Sequence, residues 1–250
     1  MIPLKDDAPR VGTPYVTYFL IAVNTFVFLI ELWIGMGNPR QLDLFLNQFG
    51  VVPARFAVVL FNQGYVPWDL VYKMGTRYVT PAAAFVPVFT SMFLHGSWMH
   101  LIFNMLTLWI FGDNVEDYLG HFRYIVLYFV SGVAAMAVHT VFNLNSTVPT
   151  VGASGAIAGV MGAYFLLYPR AKVLTIVPFF FMWFMWLPAW IVLGYFFVGL
   201  FLLGAASSIA VHGGSAGGVA VWAHVGGFLA GMLLVKLFPA RVRRYQYVAY

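Results

Sequence analysis

Long apolar runs alternate along this chain with short polar or glycine-rich connections, and six of the runs approach the length of a bilayer crossing. They fall at about 15–35, 98–117, 122–142, 153–168, 187–206 and 222–238. A hydrocarbon core of about 30 Å takes about 20 apolar residues of helix, so the pattern predicts an all-α, polytopic membrane protein with six transmembrane helices. The stretch ahead of the first run carries Asp6 and Asp7 and is punctuated by proline and glycine. It lacks a basic n-region followed by a small-residue cleavage site, so the first run reads as a retained span and not a signal peptide. The connection over 36–97 is of another kind. Its apolar stretches, Phe56 to Phe61 and Tyr65 to Tyr72, are too short to span and too apolar to float free, and Trp68, Tyr72 and Tyr78 suit headgroup depth. It is expected to lie in the outer interface. A second short run, Pro178 to Trp186, is expected at the inner interface or as an extension of the fifth span through a kink at Pro188.

Composition strengthens this picture. Hydrophobic residues make up 62% of the chain and charged residues 8%, with mean hydropathy +0.86, whereas soluble domains carry about 25% charged residues. Residues 1–250 read as a single membrane domain: a cytoplasmic N-terminus at 1–14, a core at 15–238 and a basic cytoplasmic tail at 239–250. With the N-terminus inside, the inner regions hold Lys5, Arg10, Arg123, Arg170, Lys172, Lys236, Arg241, Arg243 and Arg244, while the outer connections 143–152 and 207–221 hold no Lys or Arg. That is the positive-inside asymmetry. Arg40, Arg55, Lys73 and Arg77 in the long connection run against it. The basic residues cluster at segment ends and form no exposed stripe, which argues against nucleic acid as a partner. The absence of cysteine excludes disulfides, a thiolate nucleophile and thiolate metal ligands. Nothing in the pattern calls for a cofactor or a metal, and there is no internal repeat or pair of inverted halves of the transporter kind.

On this topology the second, fourth and sixth spans run from outside to inside, so residues near their starts share one depth. Ser154 and His224 lie near two of those starts, and His100 and Asn104 in the first turns of the third. His100 and Asn104 are spaced i, i+4, on one helix face about 6 Å apart. The fourth run ends at Pro169, Arg170 and Lys172 and is short, so Ser154 must be recessed below the outer surface, where polar groups are tolerated only in a wet cavity. Gly155, Gly159 and Gly162 on the fourth run, with Ala223, Gly227 and Gly231 on the sixth, predict close backbone packing of these two helices. That contact would bring His224 to Ser154. A serine hydroxyl needs a base to take its proton, and imidazole is suited to it. Backbone N–H groups at a helix start, the Asn104 amide and the His100 ring could stabilise an oxyanion. No acid is placed to complete a triad: Asp113, Glu116 and Asp117 gather at the other end of the second span, and Glu31 is expected to snorkel to the outer interface. The run Gly152 to Ala156 is not the strand-to-helix elbow of soluble hydrolases, which requires a glycine two residues after the serine.

These residues resemble the rhomboid intramembrane serine proteases. The likeness rests on Phe93-Leu94-His95-Gly96-Ser97-Trp98-Met99-His100-Leu101-Ile102-Phe103-Asn104-Met105, then Gly152-Ala153-Ser154-Gly155-Ala156, then Ala223-His224-Val225-Gly226-Gly227, in that order over roughly 85–238. It implies a rhomboid-like six-helix bundle with Ser154 as nucleophile, His224 as general base and acid, Asn104 and His100 as oxyanion stabilisers, and His95 as a structural neighbour. It further implies transmembrane protein substrates cut near the outer membrane face without cofactor or metal, and a gating role for the fifth span and the loop after it, near 187–221. Two departures stand out: Val86-Pro87 where some bacterial members carry Trp-Arg, and Ala158 where some carry an aromatic one turn after the serine.

Two other readings fit the same residues. A catalytically inactive protein of the same fold would bind client transmembrane helices without turnover, and a small-solute transporter could use the same recessed cavity. Taken singly, each of these polar residues also has a plain role in helix packing, as glycine-flanked serines and intramembrane histidines often do. His121, His139 and His212 read as structural or surface residues. The short N-terminus without a transit peptide points to an integral protein of a prokaryotic plasma membrane, with both termini cytoplasmic.

Overall fold

The computed structural model describes residues 1–61, 71, 79–179, 181–210 and 220–238. Within them the chain is mostly helical, and six long helices stand at the expected runs: α1 (Tyr15–Gly37), α5 (Trp98–Leu119), α6 (His121–Phe142), α7 (Ser154–Leu167), α8 (Ala189–Ala210) and α9 (Val221–Leu237). Helices α1, α6 and α8 are long and apolar enough to cross a membrane, and α7 and α9 are shorter apolar helices. The fold is that of a polytopic membrane bundle. Sharp boundaries come from local chemistry. Ser97 caps α5 by accepting from the His100 backbone N–H at 3.2 Å, and Gly120 ends it at φ 79°, a left-handed conformation open to glycine, so that α6 starts at the next residue.

Among its described residues the connection 36–97 holds α2 (Pro39–Phe49), α3 (Pro53–Phe61) and α4 (Pro81–Thr90), followed by a 3₁₀ turn at Ser91–Phe93. Two start alike, with proline at the first position behind a capping side chain: Asn38 accepts from Arg40 N–H, and Thr80 from Ala83 N–H. This segment is stitched to the chain that leads into Ser154. Val51 and Thr150 exchange backbone hydrogen bonds of 3.0 and 2.7 Å, Ala54 N–H donates to Ser146 O, and Gly152 N–H donates to Ser91 O. Trp68, Tyr72 and Tyr78, expected at headgroup depth, lie outside the described residues, as does His212.

Helix α7 is the centre of the bundle, buried continuously from Gly155 to Tyr164 and in contact with α5, α6, α8 and α9. Small residues set its closest contacts. A Cβ added at Gly227 would strike the Gly155 carbonyl, one at Gly231 the Gly159 carbonyl, and one at Gly162 the Phe228 carbonyl. Backbone therefore lies on backbone along the α7–α9 seam, as the small-residue faces predicted.

Two features differ from expectation, and a third adds to it. Pro178 to Trp186 does not extend a helix. It forms part of an antiparallel hairpin, β2 (Lys172–Phe179) and β3 (Phe181–Pro188), with β1 (Ile2–Asp6) added along the β2 edge, Ile2 opposite Ile176 and Lys172 opposite Pro188. Pairing with a strand about 170 residues away supplies the backbone partners that a short apolar run lacks by itself. Glu31 does not snorkel: it is 2% exposed, and both carboxylate oxygens accept from the His95 backbone N–H at 3.1 Å. The extended turn before α5 leaves that N–H without a backbone partner, and the buried carboxylate satisfies it. The acids at the end of α5 serve as a clasp. Glu116 accepts from the N–H groups of Val16 and Thr17 at 2.9 and 2.8 Å and lies 2.6 Å from His121 Nδ1, and Asp117 accepts from Val11 and Gly12 N–H at 3.0 Å. Carboxylates thus cap the start of α1, where backbone donors are otherwise orphaned.

Candidate active site

A cavity of about 570 Å³ opens between the starts of α5, α7 and α9, and Ser154, His224, His100 and Asn104 all line it. Each arrives by a separate device. Ser154 is the first residue of α7, whose N-cap Ala153 offers no side-chain hydrogen bond, so the opening N–H groups of this helix are not capped by a side chain. Gly152, at φ +129°, turns the chain into it. A Cβ there would come within 2.7 Å of His100 Nε2 and 3.5 Å of Ser154 Oγ, so the serine hydroxyl and the His100 ring flank one small volume that only glycine leaves open. Helix α7 has 14 residues, about 21 Å of rise. That is short of the roughly 30 Å of hydrocarbon, so the helix is too short to reach both membrane faces.

His224 lies in the first turn of α9, next to Ala223, which faces Gly155 across the seam. Its Nδ1 is buried without a hydrogen-bond partner, and Nε2 is the ring nitrogen left for the cavity. Among the described residues no carboxylate is hydrogen bonded to this ring. Its aromatic neighbour is Phe196 of α8, which meets it edge-on, with centroids 6.3 Å apart and planes at 83°. Phe196 also lines the cavity. Sequence reasoning missed it, because one more phenylalanine on an apolar helix carries no signal.

The polar wall is braced from behind. Asn104 Nδ2 donates to His95 Nε2 at 3.0 Å, which leaves the second N–H of that amide for an occupant of the cavity, and His95 is itself pinned through its backbone to Glu31. The His95 and His100 rings stand 5.1 Å apart at 65°. On the far side His139, expected to be structural, reaches the cavity wall, and its Nε2 lies 2.9 Å from Thr150 Oγ1 in the strand of chain that enters Ser154. The Asn143 amide donates to the His139 carbonyl at 2.8 Å. The site thus sets a serine and a histidine on two helices locked backbone to backbone, with polar side chains of a third helix beside them.

Comparison with known proteins gives this arrangement a context. Residues 82–241 match the Rhomboid domain family. The chain is 41% identical over 158 residues to the rhomboid protease GluP of Bacillus subtilis, covering 63% of this chain and 25% of that protein. It is 27% identical over 234 residues to the RHOMBOID-like protein 1 of Arabidopsis thaliana, covering 91% of this chain and 54% of that one. Over 96 residues it is 35% identical to the mitochondrial Rhomboid protein 1 of Saccharomyces cerevisiae, covering 37% and 28%. The chain spans about half or less of the length of these relatives.

Proposed function

Because the chain belongs to the rhomboid family, we propose that it is an intramembrane serine endopeptidase that cuts transmembrane protein substrates in the outer part of the bilayer. The observation that carries this reading is the sharing of one recessed cavity by Ser154, His224, His100 and Asn104, with the helices bearing the first two in backbone contact. Ser154 Oγ attacks the scissile carbonyl carbon while His224 Nε2 accepts the hydroxyl proton. The carbonyl oxygen becomes an oxyanion held by the Asn104 amide N–H, the His100 ring N–H and backbone N–H groups at the start of α7, where the helix dipole also favours negative charge. Collapse of the intermediate breaks the C–N bond, His224 returns its proton to the leaving amine, and an acyl ester remains on Ser154. Water, deprotonated by His224, then releases the acid and restores the serine.

The mechanism runs on two residues. Among the described residues no acid stands behind the buried Nδ1 of His224, so orientation of the base falls to packing against Phe196 and to the rigid α7–α9 seam. In this reading residues 1–250 form one membrane domain of a prokaryotic plasma membrane, both termini are cytoplasmic, and the site opens toward the outer face. Cleavage of a helical test substrate by purified protein in proteoliposomes provides the test. Ser154→Ala and His224→Ala should each abolish turnover, and Asn104→Ala should reduce it by about 10²- to 10³-fold. Unchanged cleavage by either dyad variant, with contaminating protease excluded, refutes the assignment. Binding of the substrate without turnover by the wild-type protein favours instead a client-binding role for the same cavity.

A further inference from the structure

The interfacial segment contains a second pocket, of about 590 Å³, lined by Arg55 of α3, Asn47 and Gln48 of α2, and Ala82 and Ala83 at the start of α4. Arg55 is 3% exposed, and it belongs to no ion pair among the described residues. One guanidinium nitrogen donates to the Ala83 carbonyl at 3.3 Å, while Nε is buried with no partner. Burying a cation without a counter-charge is strongly unfavourable, and desolvation accordingly lowers the pKa of this guanidinium from its usual value. The start of α4 adds to the positive character of the pocket. Thr80 accepts from Ala83 N–H and Pro81 has no N–H, so the Ala82 N–H and the positive end of the helix are left beside Arg55. Asn47 contributes a different group, a buried Oδ1 that lacks a donor while its Nδ2 is committed to the Asp43 carbonyl.

A bare carboxylate would answer only the first two of these needs. We propose that this pocket is a binding site for a hydroxyl-bearing phosphate ester, its phosphate oxygens held by the Arg55 guanidinium and the first turn of α4 and its hydroxyl donated to Asn47 Oδ1. Arginine is suited to phosphate because its planar fork of donors matches two phosphate oxygens. The same chemistry is presented by a phosphoglycerol lipid headgroup and by a free sugar or glycerol phosphate. The site also accounts for a cation that runs against the positive-inside asymmetry: Arg55 sits outside because it has an anion to hold there. The inference is independent of the protease reading, because no residue of the catalytic cavity takes part.

Native mass spectrometry on the full-length, delipidated protein in detergent tests it, with three probes added separately: phosphatidylglycerol, glycerol 3-phosphate and diacylglycerol. The wild-type protein should retain one phosphatidylglycerol or one glycerol 3-phosphate in preference to diacylglycerol. Retention of the lipid alone identifies the membrane as the source, and binding of glycerol 3-phosphate identifies a soluble ester. Arg55→Gln should reduce retention at least tenfold, and Arg40→Gln, on an exposed arginine of the same segment, should leave it unchanged. Should Arg55→Gln fail to fold, Ala82→Glu serves in its place. It puts a carboxylate on an exposed position at the pocket rim, and it should displace the probe with no fall in thermal stability. Equal retention of diacylglycerol, retention that survives both Arg55→Gln and Ala82→Glu, or no binding of either phosphate probe overturns the proposal.

Discussion

Gly231 on α9 and Gly199 on α8 are the same residue in opposite situations. A Cβ at Gly231 would collide with the Gly159 carbonyl of α7, whereas one at Gly199 would meet nothing within 4 Å. The contrast extends to the helices that carry them. The α7–α9 seam is backbone against backbone, since a Cβ at Gly162, Gly227 or Gly231 would enter a carbonyl of the facing helix, while Gly155 and Gly159 are closed chiefly by Ala135 and Ser131 of α6. Helix α8 leaves Tyr195, Val198, Leu202 and Leu203 exposed, and only 22% of its apolar window is buried. Two groups that must exchange a proton need a fixed spacing, and close-packed helices without flexible side chains between them provide it. On the proposed function a substrate helix must still reach the cavity, and a wall that is lightly held allows that. In the proposed mechanism nucleophile and base therefore stand on the rigid pair, and among the described residues of the loosely packed helix it is Phe196 that lines the site, edge-on to His224.

The largest expected effect comes from breaking the seam. Gly231→Val forces a branched side chain into a backbone carbonyl that cannot move aside, and it should destabilise the fold by at least about 3 kcal/mol, the upper range for overpacking. Thermal unfolding in detergent and loss of folded yield are the measurements. A weaker, more selective effect is expected from Phe196→Ala. An edge-on aromatic contact is worth about 0.5–1.5 kcal/mol, so kcat should fall by roughly 2- to 10-fold while the melting temperature stays within a degree or two of the parent. A comparable fall in both would show that α8 is part of the rigid frame after all. The smallest effect belongs to Gly199→Ala, which has open space for its methyl and gains helix propensity. Its stability should be unchanged or slightly raised and its activity unaltered. A Gly199→Ala as damaging as Gly231→Val would erase the distinction between the two helices.

Much of this organisation could be read before the structure was seen, and the reasons are physical. Bilayer-length apolar runs place helices within a few residues: the fourth run, expected at 153–168, is α7 at Ser154–Leu167, and the sixth, expected at 222–238, is α9 at Val221–Leu237. Small residues repeating at helical spacing marked the seam, and polar residues near the starts of three helices marked the cavity. What stayed hidden depends on partners far away in the chain. The strand character of Pro178 to Trp186 needs β1 and the other arm of its hairpin. Glu31 looked like a surface anchor because its partner, the His95 N–H, is a backbone group 64 residues on. Glu116 and Asp117 looked like ordinary inner-face charges until the start of α1 was seen folded over them. Phe196 and Arg55 were opaque for a simpler reason, since an apolar residue on an apolar helix and a lone arginine in a long connection do not reveal what they face.

The central claim is that Ser154 is made nucleophilic by His224 within the shared cavity. A serine-reactive phosphonate probe, applied to the purified protein and mapped by mass spectrometry, addresses it most directly. A covalent adduct on Ser154 in the wild-type protein, reduced to background in a folded His224→Ala variant, is the expected result. An adduct equally strong in His224→Ala, or no adduct on Ser154 in wild-type protein that cleaves a substrate, would contradict the account.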